Sequence, residues 1–177
     1  MKLISNIINC FGSGLNIIGI SIKDKSKILL FFTFGNLLVA IALGLLGAYV
    51  GMIVQLTFTV ESCINYFWEK KHDKYPIWLI ILYIALPCAL SFITFSSWWD
   101  MLPIIASVLF PLALLSKGFK IRLLNLFSVI SWIPYNFHFG QYVGGVSCII
   151  FTIMNILAII RIDFLKQEKK EDVKIDN

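Results

Sequence analysis

Residues 117–161 read KGFKIRLLNLFSVISWIPYNFHFGQYVGGVSCIIFTIMNILAIIR and decide the fold. From Leu123 to Ile160 this stretch has no Asp, Glu, Lys or Arg. A bilayer core takes about 20 residues of α-helix, so the run is too long for one membrane span and suits two. Gly140 and Gln141 interrupt the apolar run and place a turn between the two helices. The stretch therefore predicts a membrane hairpin with both ends on one side.

An earlier part of the chain resembles this hairpin at a constant offset of 93 positions. Residues 27–68 align without gaps with residues 120–161, and a Lys begins each copy. A G-x-Y-V-G block recurs at the turns, starting at Gly47 and at Gly140. The pattern predicts an internal duplication, which is a recurring architecture of small transporters.

Composition excludes most soluble classes. The chain has 177 residues, of which 59% are hydrophobic and 14% charged, and its mean hydropathy is +0.86. The net charge of +5 does not indicate a nucleic-acid partner, because the basic residues mark loops and a tail. The predicted partner is the lipid bilayer, and homo-oligomerisation stays open. Four cysteines lie in apolar segments without metal spacing and are expected to be small buried residues, at Cys10, Cys63, Cys88 and Cys148.

Hydropathy divides the chain into seven predicted transmembrane helices. They cover residues 3–22, 28–46, 48–68, 76–95 and 101–116, followed by the two helices of the later hairpin. The first lacks a small-x-small cleavage site and is read as a retained span rather than a signal peptide. All Lys and Arg except Lys2 lie after spans one, three, five and seven. The positive-inside rule then predicts an outside N-terminus and a cytoplasmic C-terminus.

The duplication gives a 3-1-3 arrangement of helices in an all-α membrane protein. The fourth span reverses direction, so the two three-helix units should share one orientation and enclose a common pathway. The predicted division is residues 1–68 for the first unit, 69–97 for a charged cytoplasmic loop and connector helix, 98–165 for the second unit, and 166–177 for a cytoplasmic tail.

The second half of the chain resembles a known family. The residues that carry the resemblance are Met101–Ile105, Lys117–Gly118, Arg122, the run Ser128–Asn136, Gly144–Gly145 and Met154–Arg161. They are similar to the YgjV family of bacterial inner-membrane proteins, over about residues 98 to 165 and less clearly before. The resemblance implies an alliance with the PQ-loop and SWEET transporters, which share a three-one-three helix plan. This chain departs from the PQ-loop pattern in having no Pro-Gln pair.

Glu61 is the only acidic residue predicted deep inside a span. Because a carboxylate in hydrocarbon costs several kcal/mol, it is expected to face a cavity or a partner, or to be protonated. It is a candidate substrate or proton site. The alternatives are a hydrogen bond within the bundle or a side chain that reaches the nearby interface.

Other polar or aromatic residues complete the candidate substrate pathway. Asn155 lies at the depth of Ser62 in the repeat, and in SWEET-like proteins such positions line the central site. Trp132 lies near the middle of the sixth span, where it can stack on a ring or fill the core. The alternative role for each Asn is a helix–helix hydrogen bond. The remaining candidates are Asn136, Asn36 and Asn16.

No catalytic motif accompanies these residues, so an enzyme is not expected, and no cofactor or metal is predicted. The leading hypothesis is a small SWEET-like carrier or facilitator for a small polar metabolite. A vitamin carrier similar to the nicotinamide riboside transporters is a specific version of it. The alternative is a non-transporting membrane scaffold or accessory subunit. A water-filled pocket between the units would favour the carrier, and a dry interface would favour the scaffold.

Overall fold

A computed structural model describes residues 1–21, 24–69, 71, 76–115 and 119–160. It confirms an all-α fold with seven α-helices. These are α1 (Lys2–Ser21), α2 (Lys25–Gly44), α3 (Tyr49–Glu69), α4 (Ile77–Thr94), α5 (Met101–Leu115), α6 (Phe119–His138) and α7 (Tyr142–Ile159). The tail predicted for residues 166–177 and most of the charged loop after α3 lie outside the described residues.

The α2–α3 and α6–α7 connections are tight turns of the same kind. Gly47 has φ +76° and Gly140 has φ +75°, a backbone region that glycine adopts at no steric cost. The hydrogen bonds from Gly47 N to Gly44 O and from Gly140 N to Phe137 O are both 3.1 Å long. Both turns therefore have equivalent geometry at positions that differ by 93.

The two ends of the bundle can be told apart by their connections. The N-terminus lies beside the α6–α7 turn, where Asn6 Nδ2 donates to Gly140 O at 3.0 Å. The α4–α5 connection reaches the same end, because Trp99 stacks on His138 with ring centroids 4.5 Å apart. We call this the turn end. The opposite end, where α1, α3, α5 and α7 finish, is the loop end.

Neighbouring helices pack most closely within each half of the chain. α2 packs against both α1 and α3, α6 packs against both α5 and α7, and α4 contacts α3 and α5. Gly12 and Gly35 allow α1 and α2 to approach, since a Cβ on either would lie within 2.9 Å of the other's carbonyl oxygen. Between the halves, α1 meets α7 and α3 meets α5.

Apolar side chains cover the outside of the bundle, as a lipid environment requires. Among the described residues, three helices are long and apolar enough to cross a membrane: Ser26–Gly44, Ile77–Thr94 and Tyr142–Ile159. A shorter apolar helical stretch covers Trp98–Ala113. The expectation of buried cysteines is wrong for Cys10 and Cys63, which are exposed, because they lie on the outward faces of their helices.

Candidate functional site

A cavity of about 470 Å³ lies between the two halves of the chain. Helices α1, α2 and α3 line it from one half, and α5, α6 and α7 line it from the other. It occupies mid-depth and the loop-end half of α1, α5 and α7. Its fifteen lining residues are Asn16, Phe32, Asn36, Gln55, Phe58, Ser62, Phe110, Asn125, Ser128, Val129, Trp132, Phe151, Met154, Asn155 and Ala158.

Positions that differ by 93 recur in this lining. Four such pairs contribute a residue from each half: Phe32 with Asn125, Asn36 with Val129, Phe58 with Phe151, and Ser62 with Asn155. Within each pair the two side chains occupy corresponding places on α2 and α6 or on α3 and α7. The two halves of the chain therefore contribute to the cavity in the same way, although the residue types differ in three of the pairs.

Two hydrogen-bonded amide pairs hold polar groups at the cavity. Asn16 Nδ2 donates to Asn36 Oδ1 at 3.1 Å between α1 and α2. Asn125 Nδ2 donates to Asn155 Oδ1 at 3.2 Å between α6 and α7. Gly35 makes room for the first pair, because a Cβ there would collide with the Asn16 amide. Each pair uses one N–H of its donor, and Asn155 Nδ2 also donates to Phe151 O at 2.9 Å.

Aromatic rings provide the apolar part of the lining. Phe58 and Phe110 pack at a tilted angle with centroids 5.3 Å apart. Trp132 is 6% exposed and lies on the turn-end side, where its ring meets Tyr135 edge to face at 5.8 Å.

On the turn-end side of Trp132, two side chains close the bundle. Each one caps the N-terminus of a helix in the opposite half of the chain. The Tyr135 hydroxyl, on α6, accepts from Gly51 N at 2.8 Å in the first turn of α3. Asn6 Oδ1, on α1, accepts from Val143 N at 3.0 Å in the first turn of α7. The first N–H groups of a helix have no partner within it, so each cap satisfies a donor that the helix leaves open. We call these two contacts the crossed caps.

Further polar residues are buried around the crossed caps. Ser5 Oγ donates to Ala42 O at 2.7 Å and is fully buried, as are Asn9 and Gln141. A Cβ on Gly144 would lie 2.7 Å from Asn136 Oδ1 and 3.1 Å from Asn9 Nδ2, so all three residues are in close contact. This end of the bundle is polar and tightly packed.

Glu61 lies on another face of α3, one turn before Asn65. The Asn65 Oδ1 accepts from the Tyr83 hydroxyl of α4 at 2.8 Å, so this face is directed toward α4. Glu61 is 4% exposed, and neither carboxyl oxygen has a hydrogen-bond partner among the described residues. It therefore has neither the exposure of a side chain that reaches the interface nor a hydrogen bond to another described residue of the bundle.

The structure brings five of the seven predicted pathway residues to one cavity: Asn16, Asn36, Ser62, Trp132 and Asn155. Asn136 lies instead at the turn end, where its Nδ2 donates to Trp132 O, and Glu61 lies outside the lining. Sequence reasoning missed Gln55, Asn125 and Ser128. Helical spacing could have found them, because Gln55 and Asn125 each precede a predicted residue by seven positions, on the same helix face.

The fold and this polar interior define an α-helical membrane protein with a central cavity. The chain belongs to the family Imp-YgjV, bacterial inner membrane protein, whose family model matches residues 3–166. The match extends the resemblance through the first half of the chain, where it was less clear from the sequence. No curated protein and no solved structure matches the chain. Within the described residues, no group of His, Cys, Asp or Glu could hold a metal ion.

Proposed function

We propose that this protein is a small carrier or facilitator that moves a small polar metabolite across the bacterial inner membrane. The observation that carries the proposal is the cavity between the two halves of the chain, bounded at the turn end by the crossed caps. Substrate sites of secondary transporters lie near the bilayer midplane between repeated units. A cavity at that depth, blocked on one side, fits a carrier in a state that faces the other side.

The Lys and Arg distribution gives the cavity a direction. In the sequence, fourteen of the fifteen Lys and Arg lie in or beside the segments that follow α1, α3, α5 and α7, and Lys2 begins α1 at the turn end. We therefore assign the loop end to the cytoplasm, which makes the closed turn end the outer side. The proposed pathway residues are those of the cavity, and Asn136 belongs to the closed end.

Metabolite uptake and efflux compared between cells with and without the protein test transport directly. We expect the wild type to change the distribution of a small set of polar metabolites and Trp132→Ala to abolish that change. Trp78→Ala is the matched control, because Trp78 is 59% exposed on α4 and lies outside the cavity. Identical metabolite pools with and without wild-type protein would refute a carrier and favour the scaffold or accessory subunit.

Chemical labelling separates a hydrated cavity from a dry interface. In a chain with its four cysteines replaced, Asn155→Cys places a thiol at a half-buried position of the lining. We expect a membrane-impermeant maleimide to label it from the cytoplasmic side and to label Ser147→Cys, at a buried position of α7 near the turn end, far less. Equal protection of both thiols would indicate that the cavity is dry.

A further inference from the structure

We infer that the cavity selects an uncharged solute that carries a ring and several hydrogen-bonding groups. The inference rests on the proposed carrier function and adds the chemical class of its substrate. Three properties of the lining support it: its lack of charge, its carboxamides and its aromatic rings.

The lining offers no counter-charge for an ion. None of its fifteen described residues is acidic or basic. Glu61 is the acidic residue next to the lining residue Ser62 in the sequence. It lies on a different face of α3 and does not line the cavity. An ion that leaves water for such a site loses its hydration without gaining a salt bridge, which costs far more than neutral dipoles return.

The aromatic rings do not make the cavity favourable for cations either. Trp132 is the only indole in the lining, and the other aromatic residues there are phenylalanines, whose rings attract cations less strongly. A cation–π contact is also smaller than the cost of removing a charged group from water. The rings are better suited to pack against the apolar face of a neutral ring.

The carboxamides supply complementary donors and acceptors on both sides of the cavity. Five amide side chains line it, with one hydrogen-bonded pair from each half of the chain. An amide presents both N–H donors and a carbonyl acceptor, which match hydroxyl or amide groups that both donate and accept. The cavity volume of about 470 Å³ lies within the range of small-molecule sites, about 300 to 1,000 Å³.

A preference for uncharged solutes disfavours one version of the carrier hypothesis. Nicotinamide riboside carries a positive charge on its pyridinium ring, whereas its dihydro form is neutral and has nearly the same shape. The cavity should prefer the dihydro form. The same reasoning favours a nucleoside or a hexose over its monophosphate.

Thermal unfolding of the purified full-length protein with matched compounds tests the inference. The probes are nicotinamide riboside and its dihydro form, uridine and uridine monophosphate, and glucose and glucose 6-phosphate. We expect at least one uncharged member to raise the Tm by about 3 to 6 °C at roughly ten times its Kd. Its charged partner should give no shift. Trp132→Ala should abolish the shift, Trp132→Phe should keep part of it, and Trp78→Ala should keep all of it.

Stabilisation by the charged members, or by none of the uncharged ones, overturns the inference. Its failure can be told apart from failure of the carrier proposal, because binding and transport are measured separately. A protein that binds an uncharged probe but leaves every metabolite pool unchanged keeps the cavity's preference and refutes the carrier. Transport of an ionic metabolite keeps the carrier and refutes the preference.

Discussion

The loop-end cavity and the closed turn end use the same kinds of side chain for opposite purposes. Both are built from neutral polar groups on helices of both halves of the chain. The Asn residues of the cavity keep part of their surface accessible, whereas Ser5, Asn9 and Tyr135 at the turn end are 0% exposed. Polar residues inside a membrane bundle therefore do not identify a binding site by themselves. A binding site also needs open space beside those residues.

This contrast predicts that equal chemical changes have different costs in the two regions. A substitution at the closed end should disrupt packing and leave backbone donors unpaired. A substitution in the cavity should mainly affect what can bind there.

The largest effect is expected from Gly51→Ala, which should break the closed end. The new Cβ would lie 2.5 Å from Tyr135 Cε1, so the ring must move and release the Gly51 N–H. Overpacking and a lost buried hydrogen bond together should lower the free energy of unfolding by about 2 to 5 kcal/mol. Thermal unfolding in detergent measures the loss.

Gly14→Ala is the control for this substitution. No atom lies within 4 Å of a Cβ at Gly14, and alanine favours a helix more than glycine does. Its stability should stay equal or rise. A similar loss of stability in both variants would show that the loss does not come from the contact between residue 51 and Tyr135.

Tyr135→Phe should have the next largest effect. It removes the hydroxyl that caps α3 and leaves the buried Gly51 N–H without a partner, at a cost of about 1 to 3 kcal/mol. Tyr49→Phe is the matched control at the same end, because Tyr49 is 55% exposed. If both substitutions had the same effect on the Tm, the crossed cap would not stabilise the closed end.

Asn155→Ala should cost less stability than either closed-end variant. It removes the interhelical bond with Asn125, and such bonds within membranes contribute about 0.6 kcal/mol on average. The same substitution should clearly reduce the binding of an uncharged probe, while it changes the stability of the protein only slightly. A loss of stability as large as that of Tyr135→Phe, with probe binding unchanged, would contradict the distinction between the two regions.

The smallest effect is expected from Glu61→Leu. Neither carboxyl oxygen of Glu61 has a described partner, so leucine leaves no such partner unpaired and removes a buried polar group. The Tm should stay equal or rise. Glu61→Gln, which keeps the shape, tests the functional role separately: unchanged transport between pH 5 and 8 would remove Glu61 from the mechanism.

Much of the helical framework could be predicted from the sequence. Charged residues outside the spans and the glycines at the turns set helix limits to within a few residues, as for the predicted span 48–68 and α3 at Tyr49–Glu69. The cavity was predicted in part, because Asn36, Ser62 and Asn155 are polar exceptions in apolar runs. The closed end was not predicted, since it depends on how α1 packs beside α7 and on which helix Tyr135 reaches.

The crossed caps have a genetic consequence. In each contact one partner is a backbone N–H, which every amino acid except proline supplies unchanged. A codon change can therefore alter only the side-chain partner, Tyr135 or Asn6, or add atoms where Gly51 has none. A screen for variants whose turn end no longer closes should return these three positions far more often than Val143. Revertants of a larger residue at 51 should carry a smaller residue at 135.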